Sequence, residues 1–161
     1  MAAYLIYAFL LGAGATVVMD LWALMLRHVF SVKGLDYALV GRWVLHMGRG
    51  RFRHDSIMAA CPMPMERPVG WAVHYGTGVL FAAVLAVATG PEWMKAPTLL
   101  PALAVGIGSI VAPFFVMQPA FGFGIAASRT PAPWKARMKS LATHTVFGCG
   151  LYVTALLLAT F

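Results

Sequence analysis

The most chemically capable side chains outside the apolar segments lie in one short basic stretch, 48–56. It reads Gly-Arg-Gly-Arg-Phe-Arg-His-Asp-Ser and contains the neighbouring residues His54 and Asp55. A histidine beside a carboxylate can transfer a proton near neutral pH or ligate a metal ion. The alternative is a solvated pair of loop residues without a function. We therefore predict a candidate loop site at His54 and Asp55.

A second polar stretch supplies groups that suit an anion. Ser128, Arg129 and Thr130 follow two glycines, Gly122 and Gly124. A guanidinium together with local backbone amides can hold a phosphate or a carboxylate. The alternative is a turn that touches lipid headgroups. Ser128 and Arg129 therefore join the candidate loop site.

Polar side chains also occur inside the apolar segments, where they are costly. An ionisable group at the centre of a membrane span costs about 2.5–3.5 kcal/mol on insertion scales. Four such residues are Asp20, His74, Gln118 and His144. At 1.5 Å per residue, all four fall within roughly 10 Å of the same membrane boundary. Each also shares a helix face with small or polar residues. We predict one intramembrane polar site formed by Asp20, His74, Gln118 and His144.

This intramembrane site has three interpretations that the sequence leaves open. The polar groups could satisfy only one another, or they could line a pathway for a proton or a solute. Asp20, His74 and His144 could also ligate a divalent metal ion, although no compact motif such as His-Glu-x-x-His supports this. A Cu(I) site could be formed in the first loop by the soft ligands Met58, Cys61, Met63 and Met65. The alternative for these residues is ordinary packing at the membrane interface. The residues do not show whether a cofactor binds or which one, so the cofactor is unknown at this point.

The composition excludes an ordinary soluble domain. The chain of 161 residues is 61% hydrophobic and 11% charged, whereas soluble domains carry about 25% charged residues. Its mean hydropathy is +0.80. The net charge of +7 lies beside apolar segments, which indicates membrane lipids rather than nucleic acid as the partner. Cys61 and Cys149 fall in different kinds of segment, so we expect no disulfide.

The apolar runs predict an all-α polytopic membrane protein with a bundle of four transmembrane helices. A span needs about 20 residues. The predicted spans are residues 4–26, 69–88, 98–118 and 141–161, in a single membrane domain, 1–161. Within the long loop 27–68, the pattern of Leu35–Met47 predicts an interfacial amphipathic helix.

Two prolines predict local features. Pro113 lies inside the third span and should bend it, because a proline removes one backbone hydrogen bond. Thr130 followed by Pro131 predicts the cap of a short helix in the second loop, 119–140. Glycines and alanines spaced along every span predict close packing between helices.

The basic residues predict the orientation. Seven lysines and arginines lie in 27–68, four lie in 119–140, and Lys95 is the only one elsewhere. The positive-inside rule places both loops in the cytoplasm. We therefore predict a multi-pass protein of the bacterial inner membrane with both termini in the periplasm.

Several strings resemble a bacterial family of uncharacterised membrane proteins, the DUF2938 family. The resemblance extends from end to end. It rests on the strings at residues 14–23, 37–43, 49–57, 118–131 and 143–148. It implies placement in a membrane and implies no activity.

Two classes of function follow from these patterns. The first is a small transporter, channel or accessory subunit that uses the polar layer near the cytoplasmic face. The second is a membrane-embedded enzyme acting on a lipid or a quinone-like substrate, with an acid or base among His54, Asp55, His74 and His144. A structural partner protein is a third alternative. Four spans form a narrow bundle, so transport would require a homo-oligomer.

Overall fold

The computed structural model describes residues 2–160 and contains only helices, turns and irregular segments there, without a β-strand. The α-helices are α1 (Ala2–Phe30), α2 (Tyr37–Met47), α3 (Glu66–Lys95), α4 (Leu99–Gly108), α5 (Gln118–Ala120) and α6 (Pro133–Leu158). A π-helix spans Ala112–Met117, and a 3₁₀-helix spans Ile125–Ala127. The predicted all-α class is confirmed.

Four helical segments are long and apolar enough to cross a membrane. They are Tyr4–Phe30, Glu66–Lys95, Leu99–Ala120 and Pro133–Leu158. Their mean hydropathies lie between 1.6 and 2.2. Four apolar helices of this length suggest a multi-pass membrane protein, and the predicted number of candidate spans is confirmed.

The ends of the first two spans differ from the predicted ones. Helix α1 continues beyond residue 26 to Phe30 and is followed by Ser31, whose φ is 54°. Helix α3 starts at Glu66 and runs to Lys95, with a break at Gly90 (φ 75°, ψ −178°). Residues 91–95, which lie between the second and third predicted spans, are therefore helical. Pro91 is tolerated because it lies at the start of the helical turn after that break.

The third span changes its helix type where proline was expected to disturb it. The α4 segment ends at Gly108, and Pro113 lies in the π-helix Ala112–Met117. Because Pro113 has no N–H, the Ser109 carbonyl oxygen loses its usual donor. Proline at this position coincides with a wider helical turn, and the predicted bend of the third span stays a prediction. Such π-helical turns occur frequently at functional sites.

The short capped helix predicted after Thr130 is wrong. The structure has one continuous helix, α6, which begins at Pro133 and contains the fourth apolar span together with Lys135, Arg137 and Lys139, three of the four basic residues of the loop. Thr130 donates its hydroxyl proton to the Ala127 carbonyl oxygen at 2.8 Å instead of capping a helix. Proline at the first helical position is favourable, since its missing N–H would have no partner there.

The chain divides into two compact units, and the prediction of a single domain stays a prediction. The first unit contains residues 1–34, 75–109 and 141–161. Its core consists of Leu11, Ala15, Ala82, Leu85, Trp93, Ala102, Phe147, Leu151 and Ala155. Gly106 and Gly148 allow α4 and α6 to approach closely, because a Cβ atom at Gly106 would overlap the Gly148 backbone.

The second unit contains residues 35–74 and 110–140. Its buried core is formed by Val40, Ile57 and Phe121. Asp36 caps α2 by accepting a hydrogen bond from Ala38 N at 3.0 Å. A helix therefore occurs within the predicted segment 35–47, and its apolar side packs on this core. Its placement at a membrane interface stays a prediction.

Candidate functional site

The loop that carries His54 is fixed by backbone contacts with the residues around α5. His54 N donates to the Ala120 carbonyl oxygen at 2.9 Å, and Ile57 N donates to the Phe121 carbonyl oxygen at 3.1 Å. Gly122 has a φ of 88°, and a Cβ atom there would overlap the Asp55 carbonyl oxygen. Only glycine is compatible with both features. These contacts hold the basic stretch against a segment far from it in sequence.

Arg42 on α2 contacts the part of this loop that follows His54, at residues 57–60. Its guanidinium pairs with the Glu66 carboxylate through two contacts, Nε–Oε2 at 2.8 Å and Nη2–Oε1 at 3.0 Å. Its Nη1 donates to the carbonyl oxygens of Ile57 at 3.3 Å and Ala60 at 3.1 Å. The hydrogen bonds to Glu66 raise the pKa of Arg42 above its usual value. The arginine thus fixes residues 57–60 relative to α2.

The second loop adopts a strained backbone next to Arg129. Ala126 and Ala127 have φ values of 47° and 60°. Non-glycine residues in this region cost of the order of 1–3 kcal/mol each, and such strain is concentrated at functional sites. Arg137 Nε donates to the Ala126 carbonyl oxygen at 2.8 Å, and Arg129 N donates to the Phe123 carbonyl oxygen at 2.8 Å. These bonds hold the strained turn in place.

Both loops line one polar cleft of about 780 Å³. Its lining residues are Arg51, Arg53, His54, Asp55, Ser56, Ala59, Ala60, Cys61, Pro119, Gly122 and Arg129. We call it the basic cleft. Of the four residues predicted for the loop site, it contains His54, Asp55 and Arg129. Ser128 is exposed beside them and does not line the cleft.

His54 is the buried polar group of the basic cleft. Its side chain is 9% exposed, and its Nε2 has no hydrogen-bond partner among the residues that the structure describes. Burial lowers the pKa of His54, and His46 and Arg51 lower that pKa further, while Asp55 opposes them. The ring of His46 meets it edge-on, with the centroids 5.0 Å apart. Nε2 is itself enclosed by protein atoms, so a molecule in the cleft would reach it only if the surrounding side chains moved.

The charges of the cleft suit an anion. The three arginines of the cleft are exposed and stand against one carboxylate, that of Asp55. Guanidinium groups bind phosphate and carboxylate oxygens through paired hydrogen bonds. Sequence reasoning missed Arg51 and Arg53 as members of the site. Their spacing could have indicated them, because alternate residues of an extended segment point to the same side.

Each residue of the predicted intramembrane site has its own surroundings. Gln118 is 7% exposed, and its Oε1 has no partner within residues 2–160. His74 Nε2 lies 3.0 Å from Tyr37 Oη, and the two rings stack at 4.2 Å. Both contacts belong to the second unit.

The other two residues lie in the first unit. Tyr75 donates its hydroxyl proton to Asp20 Oδ2 at 3.0 Å. His144 Nδ1 lies 2.7 Å from Ser109 Oγ, just before the π-helical segment. Because the four predicted residues are divided between the two units, their convergence into one site stays a prediction.

No metal centre is evident in the part of the chain that the structure describes. Within residues 2–160, no group of three or more His, Cys, Asp or Glu side chains is arranged to hold a metal ion. In the alternative Cu(I) set, Met58 and Met65 are 68% and 66% exposed, and Cys61 is exposed with a free thiol.

A family model described as "Protein of unknown function (DUF2938)" matches residues 9–158. No curated protein and no solved structure matches the chain.

Proposed function

Because this chain belongs to the DUF2938 family, whose function is unknown, we propose a function from its own geometry: it is a multi-pass membrane protein that binds an anionic ligand in the basic cleft. The ligand class is a phosphate or a carboxylate. Arg51, Arg53 and Arg129 would contact its oxygens. This binding role fits a small transporter or an accessory subunit.

One observation carries this proposal. Three exposed guanidinium groups line the same cleft against a single carboxylate, that of Asp55, although they come from two loops far apart in sequence. Like charges held close together repel one another, and a bound anion would neutralise part of this positive charge.

The same proposal includes the predicted membrane placement. Four apolar helices and two basic loops support a protein of the bacterial inner membrane. The positive-inside rule would place the basic cleft in the cytoplasm and both termini in the periplasm. A cytoplasmic site would give the protein access to phosphorylated and carboxylated metabolites.

The proposal is tested by titrating the detergent-purified protein with inorganic phosphate at constant ionic strength and measuring its melting temperature. We expect phosphate to raise the melting temperature, because a ligand that binds only the folded state stabilises it. Arg53→Gln and Arg129→Gln should each weaken this response. Arg49→Gln is the matched control, because Arg49 is exposed in the same loop but does not line the cleft. Equal responses in all four proteins would overturn the proposal.

A further inference from the structure

The loops that line the basic cleft also expose large apolar side chains. Phe52 lies between Arg51 and Arg53 and is 60% exposed. Met58 and Ile125, from the other lining segments, are 68% and 57% exposed. Scattered exposed apolar residues are ordinary on a protein surface. Their combination with arginines in the same short segments is typical of surfaces that contact anionic lipid.

The size of the cleft indicates a ligand larger than a free ion. Its volume of about 780 Å³ falls within the range of roughly 300–1,000 Å³ for pockets that hold small organic molecules. An inorganic phosphate ion would leave most of this space to water. A phosphate group attached to a glycerol backbone would fill more of it.

The charges and hydrogen-bonding groups favour a phosphate over a single carboxylate. With His54 neutral, three arginines and Asp55 give the lining a net charge of +2. A terminal phosphate carries between about −1.5 and −2 charges at pH 7 and presents three acceptor oxygens. A carboxylate carries one charge and two oxygens. The phosphate therefore matches both the charge and the number of donors that the cleft offers.

We propose, on the basis of the anion-binding function above, that the ligand of the basic cleft is the terminal phosphate (phosphomonoester) headgroup of an anionic lipid of the phosphatidic acid type. The guanidinium groups of Arg51, Arg53 and Arg129 contact the phosphate oxygens. Exposed side chains such as Phe52 and Met58 contact the acyl chains or the surrounding bilayer. No covalent step is involved.

The test compares three soluble probes in isothermal titrations of the detergent-purified full chain: short-chain phosphatidic acid, phosphatidylcholine of the same chain length, and inorganic phosphate. We expect phosphatidic acid to bind at least about tenfold more tightly than either other probe. Arg53→Gln and Arg129→Gln should weaken phosphatidic acid binding by about tenfold each, and Arg49→Gln should leave it unchanged. Phe52→Ser should weaken phosphatidic acid binding while leaving the binding of inorganic phosphate intact.

The outcomes separate this inference from the function on which it rests. If inorganic phosphate binds as tightly as phosphatidic acid and depends on the same arginines, the cleft binds free anions and the lipid inference is wrong. If phosphatidic acid binds wild type and the arginine variants equally, it adsorbs to the apolar surface, which also overturns the inference. If no probe depends on Arg53 or Arg129, both the inference and the proposed function fail. A circular dichroism spectrum of each variant confirms that it is folded.

Discussion

His144 Nδ1 and Ser109 Oγ lie 2.7 Å apart, and the Ser109 hydroxyl donates to the Gly106 carbonyl oxygen at 2.6 Å. With its single proton used in that bond, the hydroxyl can take part in the contact with His144 only as an acceptor, which requires a proton on Nδ1. A histidine that donates to the serine in this way does not act as its base, because activation of the hydroxyl requires the histidine to accept the proton.

The first prediction concerns this pair. Ser109→Ala removes both hydrogen bonds in a segment proposed to lie in lipid, where such bonds contribute about 0.6–1.7 kcal/mol. We expect a loss of that size in the free energy of unfolding, measured by titration with a denaturing detergent. Thr145→Val is the matched control, because Thr145 Oγ1 bonds only to the Leu141 carbonyl oxygen of its own helix. Equal losses in both variants would contradict the prediction.

The second prediction concerns Asp20 and Tyr75. A double-mutant cycle with Asp20→Ala and Tyr75→Phe should give a coupling energy of about 0.6–1.7 kcal/mol in unfolding experiments, because the Tyr75 hydroxyl donates to Asp20 at 3.0 Å and alanine leaves no acceptor. Additive stability effects would show that the hydrogen bond between Tyr75 and Asp20 does not contribute to stability.

A role of Asp20 in a transport pathway predicts a separate result. In that case Asp20→Asn should abolish transport in proteoliposomes while the folded bundle survives.

The third prediction concerns the ion pair between Arg42 and Glu66. The two side chains are only 11% and 19% exposed, so Glu66→Gln leaves a largely buried guanidinium without its counter-charge. We expect a loss near the lower end of about 3–5 kcal/mol. Glu92→Gln breaks the exposed pair with Lys95 and should cost about 0–1 kcal/mol. Similar losses in the two variants would contradict the prediction that the buried ion pair contributes more to stability than the exposed one.

The same pair should also affect the basic cleft. Arg42 bonds to the carbonyl oxygens of Ile57 and Ala60, next to residues that line the cleft. Arg42→Lys keeps the charge but cannot make these forked contacts. We therefore expect it to weaken phosphate binding, measured as above, without removing a charge from the cleft itself.

The fourth prediction is a dependence of stability on pH. Burial lowers the pKa of His54, and His46 and Arg51 act in the same direction, against Asp55. Below the ordinary histidine pKa of about 6.5, the unfolded chain binds a proton that the folded protein resists binding at this site. Stability should therefore fall as the pH drops through that value. Melting temperatures measured between about pH 7 and pH 5 should decline less in His54→Gln than in wild type, and identical slopes would refute the role of this residue.

The fifth prediction is the orientation in the membrane. Gly48→Cys and Ala96→Cys, each in a background with Cys61→Ser and Cys149→Ser, should label oppositely with a membrane-impermeant thiol reagent in intact cells. Both positions are exposed. Ala96 should react from outside, and Gly48 should react only after lysis. The cysteines are not placed at Gly50 and Gly90, which lie in the same two regions, because φ values of 76° and 75° disfavour any residue with a side chain there.

The spans were predictable because a run of about 20 apolar residues has few alternatives to a membrane helix. Their ends were less predictable, since they depend on single backbone conformations. The positive φ of Gly90 interrupts α3 without ending it. Likewise, the continuity of α6 depends on helix entry at Pro133 rather than at Pro131.

The basic cleft was only partly predictable for a different reason. Its histidine, aspartate and second-loop arginine stood out as reactive residue types in polar stretches. Their common location depends on the pairing of His54 and Ile57 with Ala120 and Phe121, and no local periodicity encodes that pairing. The close approach of these two segments also requires Gly122, because a Cβ atom there would overlap the Asp55 carbonyl oxygen. The sequence alone could assign this glycine only to a flexible turn.

The crossing of α2 and α3 has a consequence for sequence variation in related proteins. Gly41 and Gly70 lie where the two helices meet: a Cβ atom at Gly41 would overlap the Glu66 carbonyl oxygen, and one at Gly70 would overlap the Tyr37 carbonyl oxygen. In each case the obstacle is backbone, so no change of rotamer can accommodate a methyl group. Any descendant that acquires alanine at either position must separate the two helices along their whole contact. Purifying selection should therefore act on these two glycines as a pair, and losing one should remove the constraint on the other.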